Sequence, residues 1–206
     1  MYRFHPQWQK AREIITTGEI GEVHTVTIQY AYTNRDSKNI RNSIETGGGS
    51  LMDIGCYAVS SIRFLLGAEP RRVISLITRD DNFKTDVISS AILDYGRARG
   101  VFTVSTTSWP GQSVHIRGSS GEIIIHIPYN MFADIPAELA VTTSVAPRTI
   151  FTGPVSQYAL MIEAFCEALR CGKPMPIPPL DAINNMKVLD AIFRSEQSGG
   201  WENCGA

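Results

Sequence analysis

Apolar positions along the chain change period several times, and the changes mark out its elements. Pro6 opens a run, QWQKAREIITTG, in which Trp8, Ala11, Ile14 and Ile15 recur at helical spacing before Gly18 stops it. Residues 22–33, EVHTVTIQYAYT, alternate instead. Val26, Ile28, Tyr30 and Tyr32 share one face and Thr25, Thr27, Gln29 and Thr33 the other, which predicts a strand with one apolar side. A polar stretch without periodicity, TNRDSKNIRNSIET, leads to GGGSLMDIGCYA. There helical period returns, with Leu51, Ile54, Ala58, Ile62, Leu65 and Leu66 as the stripe and Gly67 as the stop. From Arg72 to about Phe151 the pattern predicts six or seven strands. RRVISLITR, DVISSAILDY, RGVFTVSTTS, SVHIRGS and GEIIIHI are the clearest, with a hairpin turn at SSG. No helical run interrupts them, so mostly antiparallel neighbours are expected. Two helices close the chain: 156–171, striped by Tyr158, Met161, Ile162, Phe165 and Leu169, and Asp181 to about Ser198, capped by Gly199.

Composition narrows the function classes. A chain of 206 residues that is 43% apolar and 19% charged has enough material for a sizeable core and is not disordered in type. Its net charge of −1 gives no basis for a nucleic-acid or anionic-membrane partner, and no apolar run is long enough to span a bilayer. Cys56, Cys166, Cys171 and Cys204 form no CxxC pair, which fits reduced thiols and a cytoplasmic setting. His5, His24, His115 and His126 lack metal-ligand spacing, so no metal site is expected. His115 and His126 are expected to face each other across the hairpin, and Trp109 and Trp201 to serve packing.

The densest chemistry lies in residues 47–58. Asp53 and Tyr57, four residues apart, put a carboxylate and a phenol on one helical face. Such a pair suits proton transfer to a hydroxyl-bearing substrate. A dipole-favouring aspartate beside a half-buried core tyrosine explains the same spacing, and both readings stand at this point. The glycines at 47–49 have no Cβ and admit close approach of a backbone or ligand. They do not make a nucleotide loop, because the spacing departs from GxGxxG and no βαβ unit surrounds them. An unperturbed phenol is a poor base near neutrality, and Arg3, Arg35, Lys38 and Arg41 are the nearest candidate cations, none fixed to Tyr57 by local spacing. Small residues such as Ser89, Ala91, Thr103, Ser105 and Thr107 suggest a sheet face packed on something flat, and a homodimer through that face is expected.

GGGSLMDIGCYAV, preceded by MYRFHPQ and followed by a Ser/Thr-rich sheet, resembles the C-terminal domain of the Gfo/Idh/MocA oxidoreductases. IRGSSGEIIIHIPYN is similar to that family's late hairpin, and the segment from Gln157 to Gly199 to its closing helices. The resemblance extends over nearly the whole chain. It implies an α+β fold: a large, predominantly antiparallel open sheet with helices packed on one face. It also implies an NAD(P)-dependent enzyme oxidising a sugar, polyol or cyclic diol. In such an enzyme hydride passes between the nicotinamide and a carbinol carbon.

Tyr57 matches the family's proposed acid/base and Asp53 its substrate-site aspartate. Arg3, Arg41, Gly48 and Gly49 fall on its substrate side. The family's cofactor loop and its Glu-Lys-Pro lysine have no counterpart here. Residues 1–206 are therefore expected to form the substrate-binding and dimerisation domain of a protein whose N-terminal Rossmann domain is missing from this sequence. NAD or NADP belongs to the full-length enzyme, the sequence does not choose between them, and this chain alone is expected to bind neither. A free-standing non-catalytic oligomerisation or carbohydrate-binding module is the alternative.

Overall fold

The computed structural model describes residues 1–205. A short turn, Tyr2–Phe4, precedes α1 (Pro6–Thr16), which starts on a proline and is capped by His5, whose Nδ1 accepts from the Gln7 amide at 3.2 Å. Then come β1 (Val23–Thr33), a π-helical turn Leu51–Gly55 and α2 (Cys56–Leu66). Seven strands follow: β2 (Arg72–Arg79), β3 (Asp86–Asp94), β4 (Arg99–Ser105), β5 (Thr107–Gly118), β6 (Gly121–Ile125), β7 (Ala137–Thr143) and β8 (Pro147–Thr152). The chain closes with α3 (Gln157–Cys171), α4 (Pro179–Ser198) and a two-residue strand, β9 (Glu202–Asn203).

The nine strands form one open sheet in the order β8-β7-β6-β5-β1-β4-β3-β2-β9. Every pairing is antiparallel except β1 with β4. Helices α1, α2 and α4 cover one face, where Val26, Ile28, Phe102, Val104, Val114, Ile116, Ile123 and Ile125 are buried against Trp8, Ile62 and Leu189. The period-2 pattern read from β1 therefore marks the core side correctly, and the expected fold class holds.

Four expectations change. The strand run 99–108 is two strands. At Thr106 the chain steps across the end of β1, with the Thr106 amide on Val87 O and the Asn34 amide on Thr106 O, each at 3.0 Å. The small residues also do not share a face: Ser89 pairs with Val104 and Ala91 with Phe102 on the helix side, whereas Thr103 lies with Ser90 on the open side. Period 2 fixes alternation within a strand, but only the β3–β4 register says which residues of two strands coincide. His115 pairs with Ile124, and His126 lies past the end of β6, so the two histidines do not face each other. Trp109 is 90% exposed on β5, in the irregular stretch between Gly111 and Thr107, which pair with Ala31 and Thr33 of β1, while Trp201 lies under the Arg72 guanidinium, 4.6 Å from it.

Candidate functional site

The polar loop after β1 is built rather than slack. Asn39 caps a 3-10 turn, Ile40–Asn42, by accepting from the Arg41 amide, and the buried Asn42 side chain donates through Nδ2 to Asp36 O at 2.9 Å. The glycines hold the loop from the other side. The amide of Gly48 donates to Ser43 O at 2.8 Å and that of Gly49 to Arg41 O at 2.9 Å. A Cβ at Gly48 would sit 2.4 Å from Arg41 O, and one at Gly49, whose φ is +124°, would sit 2.0 Å from Asp86 Oδ1. Only glycine fits both demands.

Asp86, 2% exposed, is the anchor beneath them. Its Oδ2 accepts from Ser50 Oγ at 2.8 Å, the Leu51 amide at 2.6 Å and Ser89 Oγ at 3.0 Å. The helix start is thus fixed by a carboxylate 35 residues downstream of Leu51 rather than by a local cap. Above it the first turn is π-helical, where helical spacing predicted an α-helix throughout. Gly55 lets that wider turn press on the sheet, since a Cβ there would meet Leu51 Cδ1 at 2.7 Å and Val104 Cγ2 at 3.5 Å.

From that turn Asp53 and Tyr57 face one open pocket of about 340 Å³, lined also by Tyr30, Tyr32, Asn34 and Arg41, with Asn130 at its rim. The Asp53 carboxylate is engaged on both oxygens: Oδ1 accepts from Arg41 Nε at 2.9 Å, and Oδ2 from the Tyr32 hydroxyl. The Tyr30 hydroxyl accepts from Asn130 Nδ2 at 2.9 Å. Tyr57 differs from these, because its hydroxyl has no hydrogen-bond partner among the described residues. Its ring leans on an aromatic cluster centred on buried Tyr129, 5.4 Å away, with Tyr30 stacked on Tyr129 at 5.0 Å and Trp8 beneath. Burial, followed by the neighbouring thiol and phenols, pushes the Tyr57 phenol up to about 12. Cys56 is likewise pushed up to about 11 by burial, so it stays a thiol and is not poised as a nucleophile.

Of the residues predicted for the site, the structure brings Asp53, Tyr57 and Arg41 together. Arg3 stands apart: its guanidinium donates to Ser60 Oγ at 2.6 Å and to Asp181 at 3.0 Å, tying the N-terminal turn to α2 and α4. Gly48 and Gly49 shape the loop and do not line the pocket. Sequence reasoning missed Tyr30, Tyr32, Asn34, Asn130 and Asp86. Two tyrosines on the core side of a strand were the available signal, because a buried phenol seeks a partner for its hydroxyl. A larger cavity, about 410 Å³, lies among Ile127, Met131, Phe132, Ile135 and Phe151. Its lining is mainly apolar and includes none of the predicted residues.

The matched family model is the GFO/IDH/MocA C-terminal domain, over residues 8–124. The chain belongs to the Gfo/Idh/MocA oxidoreductase family. It corresponds to the C-terminal part of its relatives. It is 35% identical to an uncharacterized oxidoreductase, ORF334, of Rhizobium meliloti, over 98% of this chain and 62% of that protein. It is 30% identical to D-xylose 1-dehydrogenase (NADP(+)) 2 of Haloferax volcanii, over 97% of this chain and 61% of that protein. The chain thus spans about three fifths of the curated relatives it matches. Its fold superposes on aldose-aldose oxidoreductase from Caulobacter crescentus, solved with glycerol, with a TM-score of 0.89 at 23% identity over 98% of this chain and 62% of that one.

The family implies a nicotinamide dinucleotide, and the described residues do not fit one. The amides of Gly48 and Gly49 are spent on loop carbonyls, and the two parallel strands are joined through α2, β2 and β3 rather than by a βαβ crossover. No helix among the described residues is long and apolar enough to cross a membrane.

Proposed function

We propose that this chain is the substrate-binding and dimerisation part of an NAD(P)-dependent oxidoreductase acting on a sugar, polyol or cyclic diol. The observation that carries this reading is the unbonded Tyr57 phenol beside a carboxylate whose two oxygens are already fixed. The dinucleotide, held by a domain ahead of this chain, supplies the hydride acceptor. Asp53, locked by Arg41 and Tyr32, orients substrate hydroxyls, while Tyr57 Oη exchanges the proton of the reacting one. Asn34, Tyr30 and Asn130 present further polar groups at the hydroxyl-rich side of the pocket. A phenol raised to about 12 keeps its proton at neutral pH, so it acts as a base only when a cation is brought next to it. On this reading the 206-residue chain alone is inactive and binds neither NAD nor NADP.

The open sheet face, where Leu76 is 76% exposed beside Ile74, Ile88 and Ile92, supports a homodimer. The setting we propose is the cytoplasm, in keeping with four free thiols. Tyr57→Phe in the polypeptide that carries the dinucleotide-binding domain is the test. Turnover should fall by about 10²–10⁴ with dinucleotide affinity kept; unchanged turnover removes Tyr57 from the chemistry.

A further inference from the structure

Two hollows lie at the same end of the sheet. Strands β1, β6 and β8 run in one direction, so their last residues come together there. Tyr30 and Tyr32, near the end of β1, line the candidate pocket. Ile127, just past β6, and Phe151, near the end of β8, line the apolar cavity of about 410 Å³.

One stretch of chain, 127–131, borders both. Gln7 Nε2 donates to Ile127 O at 2.9 Å, Trp8 Nε1 to Pro128 O at 2.6 Å and Gln157 Nε2 to Tyr129 O at 2.8 Å. Gln112 Oε1 accepts from the Tyr129 amide at 2.9 Å. Asn130 then faces the candidate pocket, and the next residue, Met131, lines the cavity. The shared wall is thus fixed before any ligand arrives. Its two sides differ in kind. Asp53, Arg41, Asn34 and phenol hydroxyls line the first hollow, whereas Met131, Phe132, Ile135, Pro136 and Phe151 make most of the second. Phe132, Ile135 and Phe151 remain 58%, 53% and 67% exposed, and a cluster of that kind marks a binding surface. The apolar stripe of α3, Tyr158, Ile162, Phe165 and Leu169, also points outward, but it is a helix ridge and encloses no space.

We propose that the cavity receives an apolar ring carried by the same substrate whose hydroxyls lie beside Asp53 and Tyr57. The substrate class is then a sugar derivative bearing an aryl or alicyclic substituent, rather than a free sugar. The polar half of this assignment rests on the oxidoreductase reading. An apolar cavity of about 150 Å³ holds benzene, so the volume here admits a ring with its linking atoms. A preformed hollow lined by aromatic and aliphatic groups takes up such a ring with little ordering cost. Contact across Asn130 and Met131 favours one two-ended ligand over two separate ones, because joining two binding groups makes the second contact intramolecular.

Matched methyl and phenyl β-glycosides of glucose, galactose and mannose, titrated into the 206-residue chain and followed by amide NMR shifts, provide the test. In at least one pair the phenyl glycoside should bind about tenfold tighter or more, the gain expected from filling an apolar pocket. Phe132→Asp should bring the two affinities to within about twofold by placing a charge on the apolar wall. It should leave the methyl glycoside and the melting temperature unchanged, since the side chain is exposed. Phe132→Leu should keep most of the preference. Asp53→Asn should weaken both members of the pair.

Equal affinities within every pair, with Asp53→Asn still weakening both members, overturn this inference and leave the functional reading standing. A phenyl preference that survives Phe132→Asp overturns it as well. Phenol that binds as tightly as the phenyl glycosides, with Asp53→Asn without effect, makes the cavity a separate site and sinks the role given to Asp53. Phenyl affinity that falls as protein concentration rises assigns the cavity to a second copy and overturns the proposal. Absence of binding by every glycoside overturns both readings.

Discussion

Replacing Asp86 by asparagine keeps the size of the side chain and removes its charge, and the geometry sets how much stability should go with it. One buried oxygen accepts from Ser50 Oγ, the Leu51 amide and Ser89 Oγ at 2.8, 2.6 and 3.0 Å. A hydrogen bond to a charged acceptor contributes about 1.5–3 kcal/mol net and a neutral one about 0.5–1.5, so each contact loses on the order of 1 kcal/mol. The new amide NH₂ must also occupy the position of Oδ1, against Gly49, where a Cβ on that glycine would come within 2.0 Å. Full additivity would give about 3 kcal/mol, but the three contacts share an atom and do not add fully, so the expected loss is about 2 kcal/mol. For a chain of this length that is a fall in melting temperature of about 4–8 °C. Thermal unfolding followed by circular dichroism measures it. Limited proteolysis should show the loop 34–46 cut sooner, because the glycines that hold Arg41 lose their footing. A variant melting within about 2 °C of the parent, with the loop still resistant, would refute the anchoring role.

The raised phenols give a pH dependence with a definite sign. Tyr57 is lifted from 10.0 to about 12 by burial, and Tyr30, Tyr32 and Tyr129 are also raised, with burial as the leading cause. The folded state keeps protons that the unfolded chain has lost, so this contribution is complete below pH 10 and is lost as pH rises towards 12. The urea midpoint should fall over that window, and Tyr57→Phe should soften the fall; a midpoint that climbs there contradicts the assignment. Leu76→Glu on the open face should leave the melting temperature unchanged, since the side chain is 76% exposed, and should convert a dimeric elution profile to a monomeric one. A parent that is already monomeric at micromolar concentration rules out the proposed dimer.

Much of the fold was legible because the chain alternates where it is a strand and repeats at helical period where it is a helix. Val26 and Ile28 announced the buried side of β1, and Pro6, Gly67 and Gly199 marked helix ends that the structure keeps. What was not legible depends on partners distant in sequence. Ser89 and Ala91 were assigned to the wrong face because the register of β3 on β4 is a tertiary fact. The stripe on α3 reads as core from period alone, but period shows only that a helix has an apolar side. What covers that side is set by the rest of the protein. At the site, Asp53 and Tyr57 were visible as a spaced pair, whereas Asp86 and Tyr32 stand 33 and 21 residues from Asp53, and Asn130 stands 73 from Tyr57, so that only the tertiary fold brings them to it.

The pocket divides its two acidic groups by how each is held. Asp53 cannot easily surrender its place, because Arg41 and Tyr32 occupy both of its oxygens, and the glycines clamp the backbone of Arg41 in turn. A group so tied suits orientation of a substrate, which rewards rigidity. Tyr57 is tied only through its ring, which Tyr129 and Tyr30 support, and its hydroxyl is left to meet a ligand. Burial that raises the phenol also makes it sensitive to any charge placed beside it, because the low dielectric strengthens that interaction. A cation arriving in the pocket would therefore move the Tyr57 phenol further than the same cation would move an exposed one. Under the proposed reading, the aromatic bed that makes Tyr57 inert in this chain is also what lets a second domain switch it on.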